Sequence, residues 1–88
     1  MTIPSVSAGR TASLLGVVGG DQPAYRALAD GLRLLVADGR IPAGTRLPSE
    51  RALTGALGVS RTTVTRAYAV LRESGWLTSR AGSGSVAT

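Results

Sequence analysis

Cysteine, histidine, lysine and phenylalanine are all absent from the 88 residues. Without cysteine there can be no disulfide and no thiolate zinc site. Without histidine the imidazole metal sites and the usual nucleophile–base pairs are excluded as well. Without lysine no Schiff base can form, and no glycine-rich phosphate loop precedes a lysine. No acid–base pair with a plausible partner remains, so the chain is expected not to be an enzyme. Aromatic residues are scarce: Tyr25, Tyr68 and Trp76 are the full set. All three fall at expected core positions and read as packing. That counts against single-stranded nucleic acid as a partner, since its binding generally relies on exposed aromatic platforms. Long apolar runs are missing too. Leu14-Leu-Gly-Val-Val18 is far too short to span a membrane and is interrupted by Gly16. The lack of cysteine fits a cytoplasmic location.

What is present is positive charge. Ten cations, all arginine, stand against five acidic residues, giving a formal charge of +5 and a pI near 11.4. Arginine makes planar, bidentate contacts with phosphate and with guanine edges. The excess favours a polyanionic partner. A hydrophobic fraction of 43% suffices for one small core, built mostly from Leu, Val, Ile and Ala.

Residues 1–22 are rich in Ser, Gly, Thr and Pro and are expected to form a flexible arm. The cluster Leu14, Leu15, Val17 and Val18 either docks on the domain or contacts a neighbour, because an exposed apolar cluster is unfavourable. The domain proper is expected over 23–88. A first helix is predicted from Pro23 to Asp38, with Asp21 as candidate cap and Gly39 as its stop. Tyr25, Leu28, Leu32, Leu35 and Val36 share its apolar face, while Leu34 lies off the stripe. Ile41–Leu47 reads as a turn and a very short extended piece. Ser49 then caps a helix over Glu50–Leu57, with Ala52, Leu53, Ala56 and Leu57 expected inward and Gly55 allowing close packing. After a tight turn at Gly58-Val59, Ser60 caps a helix over Arg61–Ser74. Its core stripe is Val64, Ala67, Tyr68 and Leu71, and Thr62, Thr65, Arg66 and Ala69 point the other way. Trp76–Arg80 and Ser85–Ala87 read as strands joined by the turn Ala81–Gly84. The fold class is therefore mainly α with a small β-hairpin, a winged helix-turn-helix.

The chemistry of that arrangement is recognition. A helix fits the major groove, where each base pair presents a distinct pattern of donors and acceptors. Arg61, Thr62 and Thr63 open the second helix of the motif, capped by Ser60, where unpaired N–H groups and the helix dipole attract phosphate. Thr65 and Arg66 follow within a turn. Ser49 and Arg51 can clamp a phosphate across the groove. Arg80 with Gly82, Ser83 and Gly84 forms a wing suited to the adjacent minor groove, glycine permitting close backbone approach. The expected partner is double-stranded DNA.

Leu47-Pro-Ser-Glu-Arg51, Leu57-Gly-Val-Ser-Arg-Thr-Thr-Val64 and Leu71-Arg-Glu-Ser-Gly-Trp-Leu77 together resemble the DNA-binding domain of GntR-family bacterial regulators, over about Ala24 to Val86. The resemblance implies that Arg51 contacts phosphate or base, that Arg61 reads a guanine, that the following threonines touch the backbone, and that the wing-tip glycine enters the minor groove. Thr65 departs from the common pattern, in which many members place arginine, and Arg66 follows it. Arg66-Ala-Tyr-Ala-Val-Leu71 and Ser79-Arg-Ala-Gly-Ser-Gly-Ser85 are similar to the MocR subfamily. That implies fusion to a further domain resembling a fold-type I aminotransferase, binding pyridoxal phosphate through a lysine; no cofactor is expected on the 88 residues themselves. Full-length regulators of this kind are homodimers, two copies reading two half-sites. The alternative is a winged-helix protein-interaction or dimerisation module, using Leu34 and the Leu14–Val18 cluster.

Overall fold

A computed structural model of the chain describes residues 3–16, 21–80 and 84–88. Among the described residues, four helices precede a two-stranded hairpin: α1 (Ala8–Leu15), α2 (Ala24–Ala37), α3 (Glu50–Leu57), α4 (Arg61–Glu73), β1 (Leu77–Arg80) and β2 (Gly84–Ala87). The mainly α winged helix-turn-helix architecture is as the sequence pattern predicts. Each element follows from local chemistry. Ser49 and Ser60 accept backbone N–H bonds from Ala52 and Thr63, both at 3.1 Å, so each cap satisfies one of the unpaired donors at its helix start. Gly58 ends α3 in the left-handed region (φ 69°, ψ 27°), which turns the chain sharply enough for α4 to begin three residues later.

Leu28, Ala29, Leu32 and Leu35 of α2 are buried against Val64, Ala67, Tyr68 and Leu71 of α4, with Leu53 of α3 completing the centre. This packing holds the two helices of the motif at a fixed angle. β1 and β2 pair antiparallel, with Leu77 opposite Ala87 and Arg80 opposite Gly84. Leu77, Val86 and Ala87 are buried, so the base of the wing belongs to the core. The 45–47 segment extends this sheet. The Leu47 amide donates to the Ser85 carbonyl at 2.9 Å, and the Ala87 amide to the Thr45 carbonyl at 2.9 Å.

The N-terminal segment departs most from expectation. Where a flexible arm was expected, Pro4–Val6 adds to the outer edge of the sheet. The Val6 amide bonds the Arg46 carbonyl at 3.0 Å, and the Arg46 amide bonds the Pro4 carbonyl at 2.8 Å. Ser7 then caps α1 by accepting from the Arg10 amide at 3.0 Å, and Gly16 (φ 68°) ends it. Helix α1 lies against α2 and α3, with Leu14 and Leu15 packed on the core. It fits because Gly31 of α2 has no side chain: a Cβ there would meet Leu15 Cδ2 at 2.8 Å. Val17 and Val18 lie outside the described residues.

Smaller differences have equally local causes. Pro23, not Asp21, occupies the cap position of α2, and among the described residues no side chain caps that helix. Ala52 and Ala56 are exposed instead of inward, because the short α3 turns only Leu53 fully into the core. A Cβ on Gly55 would meet no atom of the described residues within 4 Å, so this glycine does not serve close packing among them. No described helix is long and apolar enough to cross a membrane.

Candidate nucleic-acid interface

The described residues expected to recognise DNA lie on the first half of α4, at the start of α3 and on the wing. At the start of α4, Arg61 and Thr62 are exposed, and their backbone amides precede the first helical hydrogen bond. Thr63 is half-buried. Its hydroxyl pairs with Ser60 Oγ at 2.8 Å while its amide donates to the same oxygen. Ser60 and Thr63 thus brace the helix end, and Arg61 and Thr62 extend from it.

At the start of α3, Ser49 and Arg51 are both exposed. Glu50 between them accepts a 2.5 Å hydrogen bond from Thr65 Oγ1 on α4. Thr65 is exposed on the outward face of α4, as expected, and its hydroxyl links the two helices of the motif. Sequence reasoning missed Glu50. A carboxylate in a first helical turn reads as a favourable partner of the helix dipole, and its cross-helix contact leaves no local signature.

One further bond ties the same helices together in the interior. Tyr68 Oη donates to the Pro48 carbonyl at 2.7 Å, immediately before the Ser49 cap. Burial pushes the Tyr68 hydroxyl well above the usual tyrosine range, the Glu50 charge adds to the rise, and Arg72 opposes it. Tyr68 therefore stays protonated and donates. Tyr68 below and Thr65–Glu50 above fix the angle at which α4 projects.

Arg66 was expected on the outward face of α4 and is exposed there. Its guanidinium carbon lies 4.4 Å from the ring centroid of Tyr25 in the first turn of α2. Tyr25 was read as core packing. It is instead half-buried beneath a cation, because it sits in the first turn of α2, at the end of the apolar stripe.

Arg80 closes β1, exposed and in register with Gly84, which opens β2 with φ 74°. Gly82 and Ser83 lie outside the described residues. Between the wing and α3 runs a groove of about 580 Å³, lined among others by Ser49, Glu50, Arg46, Ser85 and, from the N-terminal segment, Ser5 and Ser7. The structure thus sets Ser49 next to the wing, links Thr65 to the start of α3, and places Arg66 on a separate shoulder over α2. The arrangement presents hydrogen-bond donors and cations on a helix pair cross-linked by the Thr65–Glu50 and Tyr68–Pro48 bonds.

The sequence pattern of bacterial regulatory proteins of the gntR family matches residues 24–86. An HTH-type transcriptional regulator of Mycobacterium tuberculosis is 41% identical over 80 residues, covering 91% of this chain and 30% of that protein. A probable rhizopine catabolism regulatory protein of Rhizobium meliloti, MocR, is 46% identical over 64 residues, covering 73% of this chain and 13% of that protein. The chain therefore spans less than a third of the length of either relative. Among solved structures, the AraR DNA-binding domain in complex with an operator superposes with a TM-score of 0.72 at 26% identity, covering 82% of this chain and 93% of that one.

Proposed function

The chain belongs to the gntR family of bacterial regulatory proteins, as one of its winged-helix DNA-binding domains, and we propose that it reads duplex operator DNA through the start of α4. The observation that carries this reading is the exposure of Arg61 and Thr62 at a capped helix end whose angle is fixed by Tyr68 and by Thr65–Glu50. In the major groove, Arg61 donates two bonds to a guanine edge, while Thr62 and the free amides take phosphate. Ser49 and Arg51 hold the backbone at the start of α3. Arg80 and the wing tip, with Gly82, Ser83 and Gly84, lie at the minor groove. Thr63 and Ser60 act by bracing the helix end.

Selection from a random duplex pool tests this. The wild-type chain is expected to enrich a shared motif containing a guanine. Arg61→Ala is expected to relax preference at that one base pair, worth about 1–3 kcal/mol. Failure of the wild type to enrich any motif would overturn sequence-specific reading.

Within the family, the 46% identity to MocR and the Ala-Tyr-Ala stretch of α4 favour the MocR subgroup. In that subgroup a further domain would bind pyridoxal phosphate through a lysine. These 88 residues contain no lysine and do not fit the cofactor themselves. The whole regulator works as a homodimer in the cytoplasm on this reading. Leu34, 51% exposed on α2, supports a contact between copies or with another domain. Concentration-dependent mass of the wild type against Leu34→Ser checks that contact.

A further inference from the structure

We propose that Tyr25 is a positioning residue for DNA recognition, holding the Arg66 guanidinium in place for a phosphate contact beside the groove entered by α4. This rests on the reading of α4 as the recognition helix. The two residues come from different helices, α2 and α4. They meet because Tyr25 stands in the first turn of α2 while Arg66 leaves α4 on the same shoulder, 4.4 Å from ring centroid to guanidinium carbon. That separation lies well inside the roughly 6 Å limit of a cation–π contact. Arg26 lies over the same ring at 5.7 Å, so the ring gathers two cations, with Arg66 the nearer.

The type of contact matters. Thr65, one residue earlier, donates its hydroxyl to Glu50, and that donor is engaged within the protein. A ring face accepts no strong hydrogen bond, so Arg66 can be held while its in-plane N–H donors remain available. A long exposed arginine otherwise loses rotamer freedom on docking, at about 0.5–1.5 kcal/mol per side chain. Restricting Arg66 beforehand lowers that loss. Removing the ring should therefore weaken duplex binding about 2- to 10-fold, that range converted at 1.4 kcal/mol per factor of ten.

The test is a double-mutant cycle on a labelled mixed-sequence duplex, read by anisotropy across a salt series. It uses the full chain with Tyr25→Leu, Tyr25→Phe, Arg66→Ala and Tyr25→Leu with Arg66→Ala. Tyr25→Leu is expected to weaken binding with the salt slope unchanged, because the phosphate contact still forms. Tyr25→Phe keeps the ring and should stay within about twofold of wild type. Arg66→Ala should reduce the salt slope by about 1, and Tyr25→Leu should then have no further effect. Equal losses from Tyr25→Leu in both backgrounds would overturn the proposal, as would a Phe variant as weak as the Leu variant. If Tyr25→Leu does not fold, the Phe variant and the Arg66 δ-proton shifts of the unbound wild type decide. Upfield ring-current shifts support the stack, and random-coil values overturn it. No duplex binding by the wild type would overturn the DNA-reading itself, whereas binding with additive variant effects overturns only the role of Tyr25.

Discussion

Replacing Tyr68 with phenylalanine removes one oxygen atom from the interior and should loosen the helix pair that does the reading. Tyr68 is 1% exposed, and its hydroxyl donates to the buried Pro48 carbonyl at 2.7 Å. A hydrogen bond of this kind contributes about 0.5–1.5 kcal/mol net, and a buried carbonyl left without a partner costs about 1–3 kcal/mol. The expected destabilisation is about 1–2 kcal/mol. For a domain of this size that lowers the melting temperature by about 5–15 °C. The hydroxyl also sets a pH window. Its folded pKa is raised above the unfolded value of 10.0, chiefly by burial. The stabilisation is therefore fully present below about pH 10 and is lost as pH rises further, because the unfolded chain ionises first. At about pH 11 the loss is on the order of 1 kcal/mol. Urea unfolding followed by circular dichroism, at neutral pH and at two alkaline values, measures both effects. The wild type should exceed Tyr68→Phe at neutral pH, and the gap should close by about pH 11. Equal stability at neutral pH would rule out a stabilising Tyr68–Pro48 bond, and a gap that stays constant through the alkaline range would rule out the raised hydroxyl pKa.

Gly58→Ala places a Cβ on a residue at φ 69° and should destabilise by about 1–2 kcal/mol, seen as a lower thermal midpoint. Gly31→Ala offers a helix-propensity gain of about 1 kcal/mol but drives a Cβ to 2.8 Å from Leu15 Cδ2. The gain should appear in a chain lacking residues 1–20 and be cancelled or reversed in the full chain. Thermal melts of the four proteins check this, and an equal gain in both backgrounds would contradict the docking of α1 on α2.

The core of the fold was legible because its signals are local. Capping serines at 49 and 60, a turn glycine at 58 and apolar residues at helical spacing in α2 and α4 each act within a few residues. They mark the helix-turn-helix and the wing with boundaries off by a residue or so. The N-terminal segment was not legible for the opposite reason. Pro4–Val6 is held by backbone bonds to Arg46, about forty residues away, and α1 by a gap left at Gly31. A composition rich in Ser and Gly gives no sign of either. The same division runs through the interface. Exposure of Arg61 and Thr62 follows from helical phase alone. The engagement of Thr65 by Glu50 and of Arg66 by Tyr25 depends on which helices meet, and helical phase does not carry that information.

If α4 reads duplex DNA from its capped end, loss of the Arg61 side chain must weaken binding without unfolding the domain. The most direct measurement is the affinity for a duplex as a function of salt concentration, wild type against Arg61→Ala, with thermal melts of both. Log affinity should fall linearly with log salt, and the variant should bind more weakly at an unchanged melting temperature. Identical affinity and salt slope for the two folded proteins would contradict DNA reading by that end of α4.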